Sequence, residues 1–532
     1  MCDDKGGRVQ PALNVCATFP HYGWARLLMA VMLLSGMVAY LRAWRRSSVM
    51  VLVLAGCLPG PGHGSPRTEY LLLDARIIEG TVNARLVPGR VVKDPANPLL
   101  VADRPWEPRF DNMYPNVLWD ENEGLYKCWY CPFIVDERTS KTPLEKRNPE
   151  DTDYMAAQPS RRDEAILYAT SRDGVRWEKP ELGIVEFEGS RKNNIVVRGP
   201  SGAGVYKDPR DQDPTRRYKA FYAAQVGYLQ LVPFSPDGLN WGPAIACPEI
   251  AIQSDCHDNM IWSEERQSYI GIVRHYDRVP VVGNRKIART ESRDGVKWTK
   301  STLILTGTPR KQMHDMVIFQ DGGVYLGLLG VMNFPSLKSR HGVRQHIELA
   351  WSPDSITWYR IAEGIPLVGH TSKEERKYGT MPYDWGALFP SAPVFRGDRI
   401  ELYYGASDWY FFDWRKSGLA RATLRKDRWA GYEPIEERRL MEVRTEALTW
   451  GAEVLRCCLD LAQGGSLSVT VLDENRKSLG NGVIRGEGGE LTDAQVAWEQ
   501  GFDPAGLRGR KVSLVFKAVA AKLYSFSFGP AQ

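Results

Sequence analysis

The sequence predicts an all-β protein, a five-bladed β-propeller followed by a C-terminal antiparallel β-sandwich, on three observations. First, a motif of the form Ser-x-Asp-Gly/Ser-x-x-Trp occurs four times, with its tryptophans 57 to 64 residues apart. Second, Asp-bearing segments and apolar-aromatic strands recur in phase with this motif. Third, short strands of alternating polar and apolar residues follow residue 435. A recurrence at this period is typical of one supersecondary unit used repeatedly. About 60 residues accommodate a four-stranded antiparallel sheet, which is the blade of a propeller.

Each copy of the motif predicts a hairpin turn with a tryptophan on the returning strand. Asp-Gly favours the positive φ of a tight hairpin, and the Ser two residues before the Asp can bond the backbone of the turn. The Trp then lies where it can cover the gap to a neighbouring unit. The four copies span residues 171–177, 235–241, 292–298 and 352–358.

The Asp-bearing segment that opens each unit aligns the units with one another. Five units fit between residues 105 and 430, and the His-Asp pairs at 257–258 and 314–315 are one repeat length apart. Residues 131–165 are a polar, charged insertion in the first unit, where we expect a surface loop. The aspartates at the unit heads are Asp111, Asp208, Asp258, Asp315 and Asp384.

The chain divides into three predicted parts. Residues 1–66 form a leader and tether, residues 67–434 the propeller and residues 435–532 the sandwich, whose alternating strands are separated by turn signals. We expect residues 70–74, ahead of the first blade, to pair with the last blade and close the ring, which would hide an open strand edge.

The N-terminal segment predicts export. An apolar run over residues 27–41, short for a membrane span, is followed by three arginines and a second apolar run that ends in Leu54-Ala-Gly-Cys57. A basic stretch before a short apolar core is typical of a secretory signal. The final four residues resemble a bacterial lipobox, in which Cys57 would be lipidated and become the mature N-terminus. The alternatives are a signal anchor over 27–41 and cleavage near Gly64. We expect a cell-envelope lipoprotein or a periplasmic or extracellular protein, with membrane contact only through the leader or a lipid anchor.

Charge and cysteine content argue against several functional classes. The chain has 69 basic and 64 acidic residues with no basic patch, so nucleic acid is not an expected partner. Nine cysteines are too few for a disulfide scaffold. Cys128-Trp-Tyr-Cys131 lies in a strand-like run, where residues three apart face opposite sides, which favours core thiols over a redox or metal pair. We expect no cofactor and no metal site, with a structural ion on the propeller axis left open.

Taken together, these features resemble the five-bladed propeller glycosidases of the invertase/fructanase and arabinanase/xylosidase type and their exported bacterial relatives. The resemblance rests on the repeated hairpins, on Lys207-Asp208-Pro209 in the second unit and on the trailing sandwich, and it covers residues from about 70 to 530. The hairpin motif is also similar to the sialidase Asp box, but lacks the residue between Asp and Gly. The arginine triad and tyrosine nucleophile of a sialidase cannot be placed from the sequence.

The resemblance implies a glycoside hydrolase site in an axial funnel, where two carboxyl groups flank the glycosidic bond of a carbohydrate substrate. By position, Asp111 would be the nucleophile or base and Asp208 an orienting, pKa-tuning group. Asp258 stands where the family carries its acid, a Glu; Glu249 and Glu348 are out of phase with that position. The substrate-binding candidates are His257, His314, Asp315, Asp384 and Trp385, and Trp106 and Trp409 are further candidates for stacking on a sugar.

Each candidate also has a structural interpretation, because an Asp before a strand is commonly a turn or strand-end cap. Three functional classes therefore stay open: an exported glycoside hydrolase, a non-catalytic glycan-binding surface protein, and a propeller used as an interaction scaffold. A carboxylic acid within reach of Asp111 would favour the enzyme. An axial end without a pocket would favour the scaffold.

Overall fold

The computed structural model describes residues 69–147, 154, 161–224, 227, 229–250, 254, 256–277, 283–372 and 377–530. Within these residues the chain is an all-β protein with a five-bladed propeller followed by a C-terminal antiparallel β-sandwich, as the sequence predicts. The predicted leader and Cys57 lie outside the described residues. No described helix has the length and hydropathy of a transmembrane span.

Five short strands precede the first blade and join two different sheets. The first three pair with the C-terminal sheet, so residues 69–88, which the sequence analysis assigned to the propeller, belong with the sandwich strands. The next two pair with the last strand of blade five and so close the ring. The prediction that residues 70–74 close it is wrong, because their strand pairs with the C-terminal strand instead. The five are β1 (Glu69–Leu71), β2 (Ile78–Val82), β3 (Ala84–Pro88), β4 (Val92–Lys93) and β5 (Leu100–Val101).

Blades one and two are antiparallel sheets of five strands each. Blade one carries the single α-helix of the described residues, α1 (Glu137–Lys141), after its third strand. Blade one consists of β6 (Asn116–Asp120), β7 (Leu125–Tyr130), β8 (Phe133–Asp136), β9 (Arg162–Ser171) and β10 (Ile195–Arg198). Blade two consists of β11 (Pro200–Lys207), β12 (Tyr218–Ala224), β13 (Gln230–Val232), β14 (Phe234–Ser235) and β15 (Ile245–Ala246).

Blades three and four are regular four-stranded meanders, and blade five is completed by β4 and β5 from the N-terminal side. Blade three consists of β16 (Asn259–Ser263), β17 (Ser268–Asp277), β18 (Asn284–Ser292) and β19 (Thr302–Leu305). Blade four consists of β20 (Lys311–Asp321), β21 (Val324–Asn333), β22 (Arg344–Ser352) and β23 (Tyr359–Arg360). Blade five contributes β24 (Leu388–Pro390), β25 (Val394–Arg396), β26 (Arg399–Ser407) and β27 (Ser417–Arg425).

The C-terminal strands and β1–β3 form one eleven-stranded sheet. Its two longest strands have 19 residues each and pair with each other through two register shifts, which bend the sheet around a core of its own. The strands are β28 (Ala430–Pro434), β29 (Met441–Thr445), β30 (Leu448–Thr449), β31 (Val454–Leu472), β32 (Ser478–Arg485), β33 (Gly489–Gln495), β34 (Ala497–Trp498) and β35 (Lys511–Gly529). Single 3₁₀ turns occur at Ala75–Ile77, Leu144–Lys146, Pro214–Arg216, Pro248–Ile250 and Pro504–Leu507.

The repeated motif forms the predicted hairpin. In the first copy the amide of Gly174 donates to Ser171 Oγ (2.9 Å), and the amide of Val175 donates to Asp173 Oδ1 (2.9 Å). Gly174 has a φ of 74°, and in the fourth copy Ser355 takes a φ of 64° without being glycine. The motif aspartates are therefore structural, since each one organises its own turn.

The motif tryptophans cover the gaps between blades, as predicted. Trp298 of blade three stacks on Phe221 of blade two, with ring centroids 4.9 Å apart and an 18° angle between the ring planes. Trp177 of blade one meets Tyr403 of blade five edge-on at 5.9 Å, so the same contact spans the point where the ring closes.

The insertion at residues 131–165 is not simply a surface loop. Its two ends are paired strands, with Phe133 of β8 opposite Glu164 of β9. This correction matters for the candidate site, because both residues line a cavity to which all five blades contribute.

Candidate active site

A cavity of about 290 Å³ lies where residues of several blades meet. All five blades contribute to its wall, with Glu164 from blade one, Ser201 from blade two, Arg274 from blade three, His314 from blade four and Phe411 from the β26–β27 loop of blade five. The volume is at the lower end of the range for small-molecule sites.

Asp111 enters this cavity from a loop whose backbone is strained. Asp111, Met113 and Tyr114 have φ values of 47°, 65° and 42°. Positive φ is unfavourable for bulky side chains such as those of Met and Tyr. The conformation is held by backbone bonds from Met113 N to Phe110 O (2.9 Å) and from Cys131 N to Met113 O (2.6 Å). Strain of this kind is concentrated at functional sites, which supports a functional role for the loop.

Two arginines hold the Asp111 carboxylate in its ionised form. Arg109 Nε and Arg415 Nη2 each donate to Asp111 Oδ1 at 3.0 Å, and Arg415 also donates to Asn112 Oδ1 (2.6 Å). Burial alone would raise the pKa of Asp111, but the charges of Arg415 and Arg109 outweigh burial, so that pKa lies below its ordinary value.

Glu164 is the second carboxylic acid in the cavity wall, and sequence reasoning missed it. It is half-buried on β9, and burial raises its pKa to about 8, with the nearby charge of Asp111 adding to the rise and a hydrogen bond with Ser201 opposing it. Glu164 lies within the segment interpreted as a surface loop. The signal that could have found it is its place directly before the apolar run that leads into the first motif.

The two acids therefore have opposite protonation states at neutral pH. Asp111 is ionised, and Glu164, with a pKa of about 8, keeps its proton. A pair of carboxyl groups whose environments separate their pKa values is the arrangement that divides one site into a base or nucleophile and an acid.

Of the His-Asp pair in blade four, His314 lines the cavity and Asp315 is buried behind it. Burial, followed by the charge of Arg274, lowers the pKa of His314 well below its usual range. Burial raises the pKa of Asp315 to about 8. Gly330 makes room for this acid, since a Cβ there would lie 1.9 Å from Asp315 Oδ1.

The His-Asp pair in blade three does not line the cavity. Asp258 Oδ1 accepts a hydrogen bond from Ser254 Oγ (2.5 Å), and burial raises the pKa of Asp258 to about 7. The His257 ring nitrogens lie 3.1 Å from Pro390 O and 2.9 Å from Asn116 Oδ1. His257 therefore joins blade three to blades five and one, and Asp258 bonds within its own segment. Neither lines the cavity, so the prediction that Asp258 enters the mouth of the channel is wrong.

Asp208 is at the other end of its blade, so the prediction that it converges with Asp111 is also wrong. It follows β11, whose opposite end carries Ser201, and that strand spans about 20 Å. There Asp208 accepts a hydrogen bond from Tyr269 Oη (2.7 Å) and lies 3.4 Å from Lys219 Nζ. The error arose because β11 begins Pro-Ser-Gly-Ala-Gly, a composition that does not indicate a strand.

Asp384 and Trp385 likewise lie away from the cavity. Asp384 forms an ion pair with Lys93 of the closing strand β4. Trp385 is 2% exposed and stacks on Trp409, with ring centroids 5.2 Å apart, so neither ring face is open to a sugar. These two predicted substrate contacts are structural instead.

The described residues offer little for a metal or redox site. No three His, Cys, Asp or Glu side chains in this part of the chain come together as metal ligands would. Cys128 and Cys131 are buried free thiols, and burial raises the pKa of Cys131 to about 12, so it is not a reactive thiolate.

Comparison with solved structures finds carbohydrate-active proteins at low sequence identity. A β-1,2-mannobiose phosphorylase from Listeria innocua is 14% identical with a TM-score of 0.42, covering 63% of this chain and 96% of its own. An N-acetylgalactosamine deacetylase from F. plautii is 13% identical with a TM-score of 0.40, covering 65% and 97%. A family 43 arabinoxylan arabinofuranohydrolase from Bacillus subtilis is 11% identical with a TM-score of 0.36, covering 81% and 97%. No protein-family model and no curated protein matches the chain.

Proposed function

We propose that the protein is an exported glycoside hydrolase that cleaves an oligosaccharide or polysaccharide in the axial cavity. The observation that carries the proposal is the carboxyl pair that lines one cavity, with Asp111 ionised and Glu164 protonated at neutral pH. Glycoside hydrolysis needs such a pair on either side of the scissile bond.

In this mechanism Glu164 is the general acid. It donates its proton to the glycosidic oxygen as the bond from that oxygen to the anomeric carbon breaks, and it is left as a carboxylate. Asp111 acts on the anomeric carbon, either by attacking it directly or by taking a proton from the water that attacks. The acid of this proposal is Glu164 rather than Asp258, because Glu164 lines the cavity and Asp258 is bonded to Ser254.

Other cavity residues suit a sugar ligand. Burial keeps the His314 imidazole neutral, so it can exchange hydrogen bonds with sugar hydroxyls as a donor or an acceptor. Tyr114, Phe133, Phe411 and Phe412 add aromatic surface to the same cavity, which suits the apolar face of a sugar ring.

A non-catalytic glycan-binding protein is the second candidate. It is favoured by the two arginine contacts to Asp111, since a carboxylate held in this way is a weaker base. The presence of a cavity at the axial end argues against a pure interaction scaffold.

The test is hydrolysis of a panel of polysaccharides and aryl glycofuranosides by the purified protein and by Glu164→Gln, Asp111→Asn and Glu181→Gln variants. Glu181 is an exposed glutamate outside the cavity and serves as the control. We expect turnover to fall about 100- to 10,000-fold in the two cavity variants and to be unchanged in the control. Turnover that survives both cavity substitutions would contradict the mechanism. Binding of a glycan without turnover by the parent protein would favour the second candidate.

Export and lipidation at Cys57 are part of the same proposal and rest on the leader sequence alone. Stable anchoring would need the several acyl chains of a bacterial lipoprotein, because one chain gives only marginal membrane binding. Mass spectrometry of the native N-terminus should find a lipidated Cys57. A mature chain that starts near Ser65, or an uncleaved leader, would contradict it.

A further inference from the structure

The hydroxyl group of Tyr114 ends a chain of hydrogen bonds that begins at a buried arginine. Arg415 Nη2 donates to Asn112 Oδ1 (2.6 Å), and Asn112 Nδ2 donates to Tyr114 Oη (2.6 Å). A guanidinium group can only donate, so the Asn112 atom that faces Arg415 must be the amide oxygen. The amide nitrogen of Asn112 therefore faces Tyr114, and Tyr114 Oη is the acceptor in this contact.

The hydroxyl hydrogen of Tyr114 is consequently left for another partner. A phenolic hydroxyl has one hydrogen to donate, and a contact in which the oxygen accepts does not use that hydrogen. Among the described residues, Asn112 is the one hydrogen-bond partner of Tyr114 Oη. Tyr114 and Asn112 both line the cavity, so this donor lies at the cavity wall.

The donor keeps its hydrogen and is fixed in position. Burial raises the pKa of Tyr114 well above its ordinary value, so the hydroxyl is neutral at neutral pH. Hydrogen bonds in a chain polarise one another, so a chain that starts at a guanidinium group strengthens its final donor. The Tyr114 ring stacks with His314, with centroids 6.3 Å apart and 9° between the ring planes, and meets Phe389 edge-on at 5.7 Å. A ligand therefore does not have to order this side chain when it binds.

The same arginine also holds the carboxylate of the proposed mechanism. Arg415 Nη2 donates to Asp111 Oδ1 at 3.0 Å as well as to Asn112 Oδ1. The backbone between these residues is strained, because Tyr114 has a φ of 42° and a bulky residue rarely adopts such an angle. Asp111 and the Tyr114 hydroxyl are thus positioned together in one cavity of about 290 Å³, where a single ligand can contact both.

We propose that Tyr114 is a specificity-determining residue whose hydroxyl donates a hydrogen bond to one hydroxyl oxygen of the sugar bound beside Asp111. The ligand is then a sugar with an intact hydroxyl group at that ring position, and a sugar deoxygenated there is rejected. For the cleavage step this rests on the proposed function, whereas the hydroxyl contact itself needs only binding. Such a contact discriminates because a ligand without the oxygen leaves a buried donor without a partner.

The test is a binding titration of the purified protein followed by NMR. The probes are D-galactose, D-mannose, D-xylose and L-arabinose with their monodeoxy and fluorodeoxy analogues, which have no glycosidic bond and so report binding without turnover. Tyr114→Phe removes the hydroxyl group and keeps the ring. Tyr359→Phe, which changes an exposed tyrosine on the outer strand β23 of blade four, is the matched control.

A second variant tests the direction of the hydrogen bond and keeps the test valid if Tyr114→Phe does not fold. Asn112→Asp keeps the shape of the side chain and its contact with Arg415, but the new carboxylate has no hydrogen to donate. Tyr114 must then donate to that carboxylate, so its hydrogen turns away from the ligand. Fluorine accepts a hydrogen bond weakly and donates none. The fluorodeoxy sugar should therefore bind better than the deoxy sugar in the parent protein and lose this advantage in Asn112→Asp.

We expect deoxygenation at one ring position to weaken binding at least about tenfold, with the fluorodeoxy analogue between the deoxy and parent sugars. Tyr114→Phe should reduce the difference at that position to less than about threefold, and Tyr359→Phe should leave it unchanged. The proposal is overturned if Tyr114→Phe reduces the difference at no ring position, or if the parent protein binds none of the probe sugars.

The same titration separates this proposal from the proposed function. Selective binding that depends on Tyr114, without hydrolysis of any glycoside, would support the hydroxyl contact and contradict the enzyme. Hydrolysis that depends on Glu164, with the ratio of kcat/KM for parent and deoxy glycosides unaffected by Tyr114→Phe, would support the enzyme and overturn the hydroxyl contact.

Discussion

Replacing Glu164 with Gln should raise the stability of the folded protein at neutral pH, while removing the acid of the proposed mechanism. Glu164 keeps its proton in the folded state up to a pKa of about 8, whereas an unfolded glutamate ionises near 4.5. Between these two values the folded state binds one more proton than the unfolded state. The free energy of unfolding contributed by this group therefore falls as pH rises through that window, by about 1.4 kcal/mol per pH unit.

The size of the effect follows from the width of the window. At pH 7 the gap of roughly 2.5 units corresponds to a cost of at most about 3 kcal/mol, and partial exposure of Glu164 to the cavity reduces it, so we expect a gain of about 1–3 kcal/mol in Glu164→Gln. At pH 4.5 or below the two proteins should be equally stable. Gln keeps the shape of the protonated acid and can still bond Ser201.

Urea denaturation of both proteins at pH 4.5, 6, 7 and 8 measures this directly. Asp258 and Asp315 also have raised pKa values, but they are present in both proteins and cancel in the difference. Glu181→Gln is the control and should show no pH-dependent difference. A Glu164→Gln protein that is destabilised at every pH, or one whose stability difference does not grow with pH, would refute the reasoning.

Three further predictions concern catalysis, a corrected site residue and a turn. The value of kcat/KM for a hydrolysed glycoside should fall as pH rises through about 8, because Glu164 loses its proton there. A pH profile of kcat/KM that stays flat up to about pH 9.5 would contradict the role of Glu164 as the acid. Asp208→Asn should lower the free energy of unfolding by about 2–4 kcal/mol in urea denaturation, because it weakens buried contacts to Tyr269 and Lys219. The same variant should leave kcat/KM unchanged, and a loss of activity in a fully folded variant would show that Asp208 belongs to the active site. Ser355→Gly relieves the strain of a φ of 64° but removes the buried hydrogen bond that Ser355 Oγ accepts from Arg289 Nε (3.2 Å). The two effects oppose each other, so the free energy of unfolding should change by less than about 1 kcal/mol in urea denaturation, and a larger change in either direction would contradict this balance.

The propeller could be predicted because each repeat unit is specified by residues that are adjacent in the sequence. Asp173 and Gly174 specify a turn by their own hydrogen bonds and φ angle, and a tryptophan follows at a fixed distance. Ring closure was placed on the wrong strand because β4 and β5 are two residues long each and give no period of their own. Residues 70–74 form a stronger apolar segment, but this segment finds its partner in the C-terminal sheet.

The site was only partly predictable for a related reason. Asp111 precedes a clear strand, so its place at the cavity could be anticipated. Asp208 was misplaced because the strand before it is rich in small residues and was not recognised. Arg274 and Arg285 of blade three and Arg340 of the β21–β22 loop also line the cavity, and no spacing in the sequence joins them. Such a cluster becomes visible only when the ring closes.

The most direct test of the central claim, that Glu164 is the acid of an axial glycosidase site, is the dependence of turnover on the leaving group. Wild-type protein and Glu164→Gln would be compared on two glycosides of the same hydrolysed sugar, one with an alkyl leaving group and one with a dinitrophenyl leaving group that departs without a proton. The account predicts that Glu164→Gln loses about 100- to 10,000-fold of kcat/KM on the alkyl glycoside and keeps most of it on the dinitrophenyl glycoside. Equal losses on both substrates, or no loss on either, would contradict it.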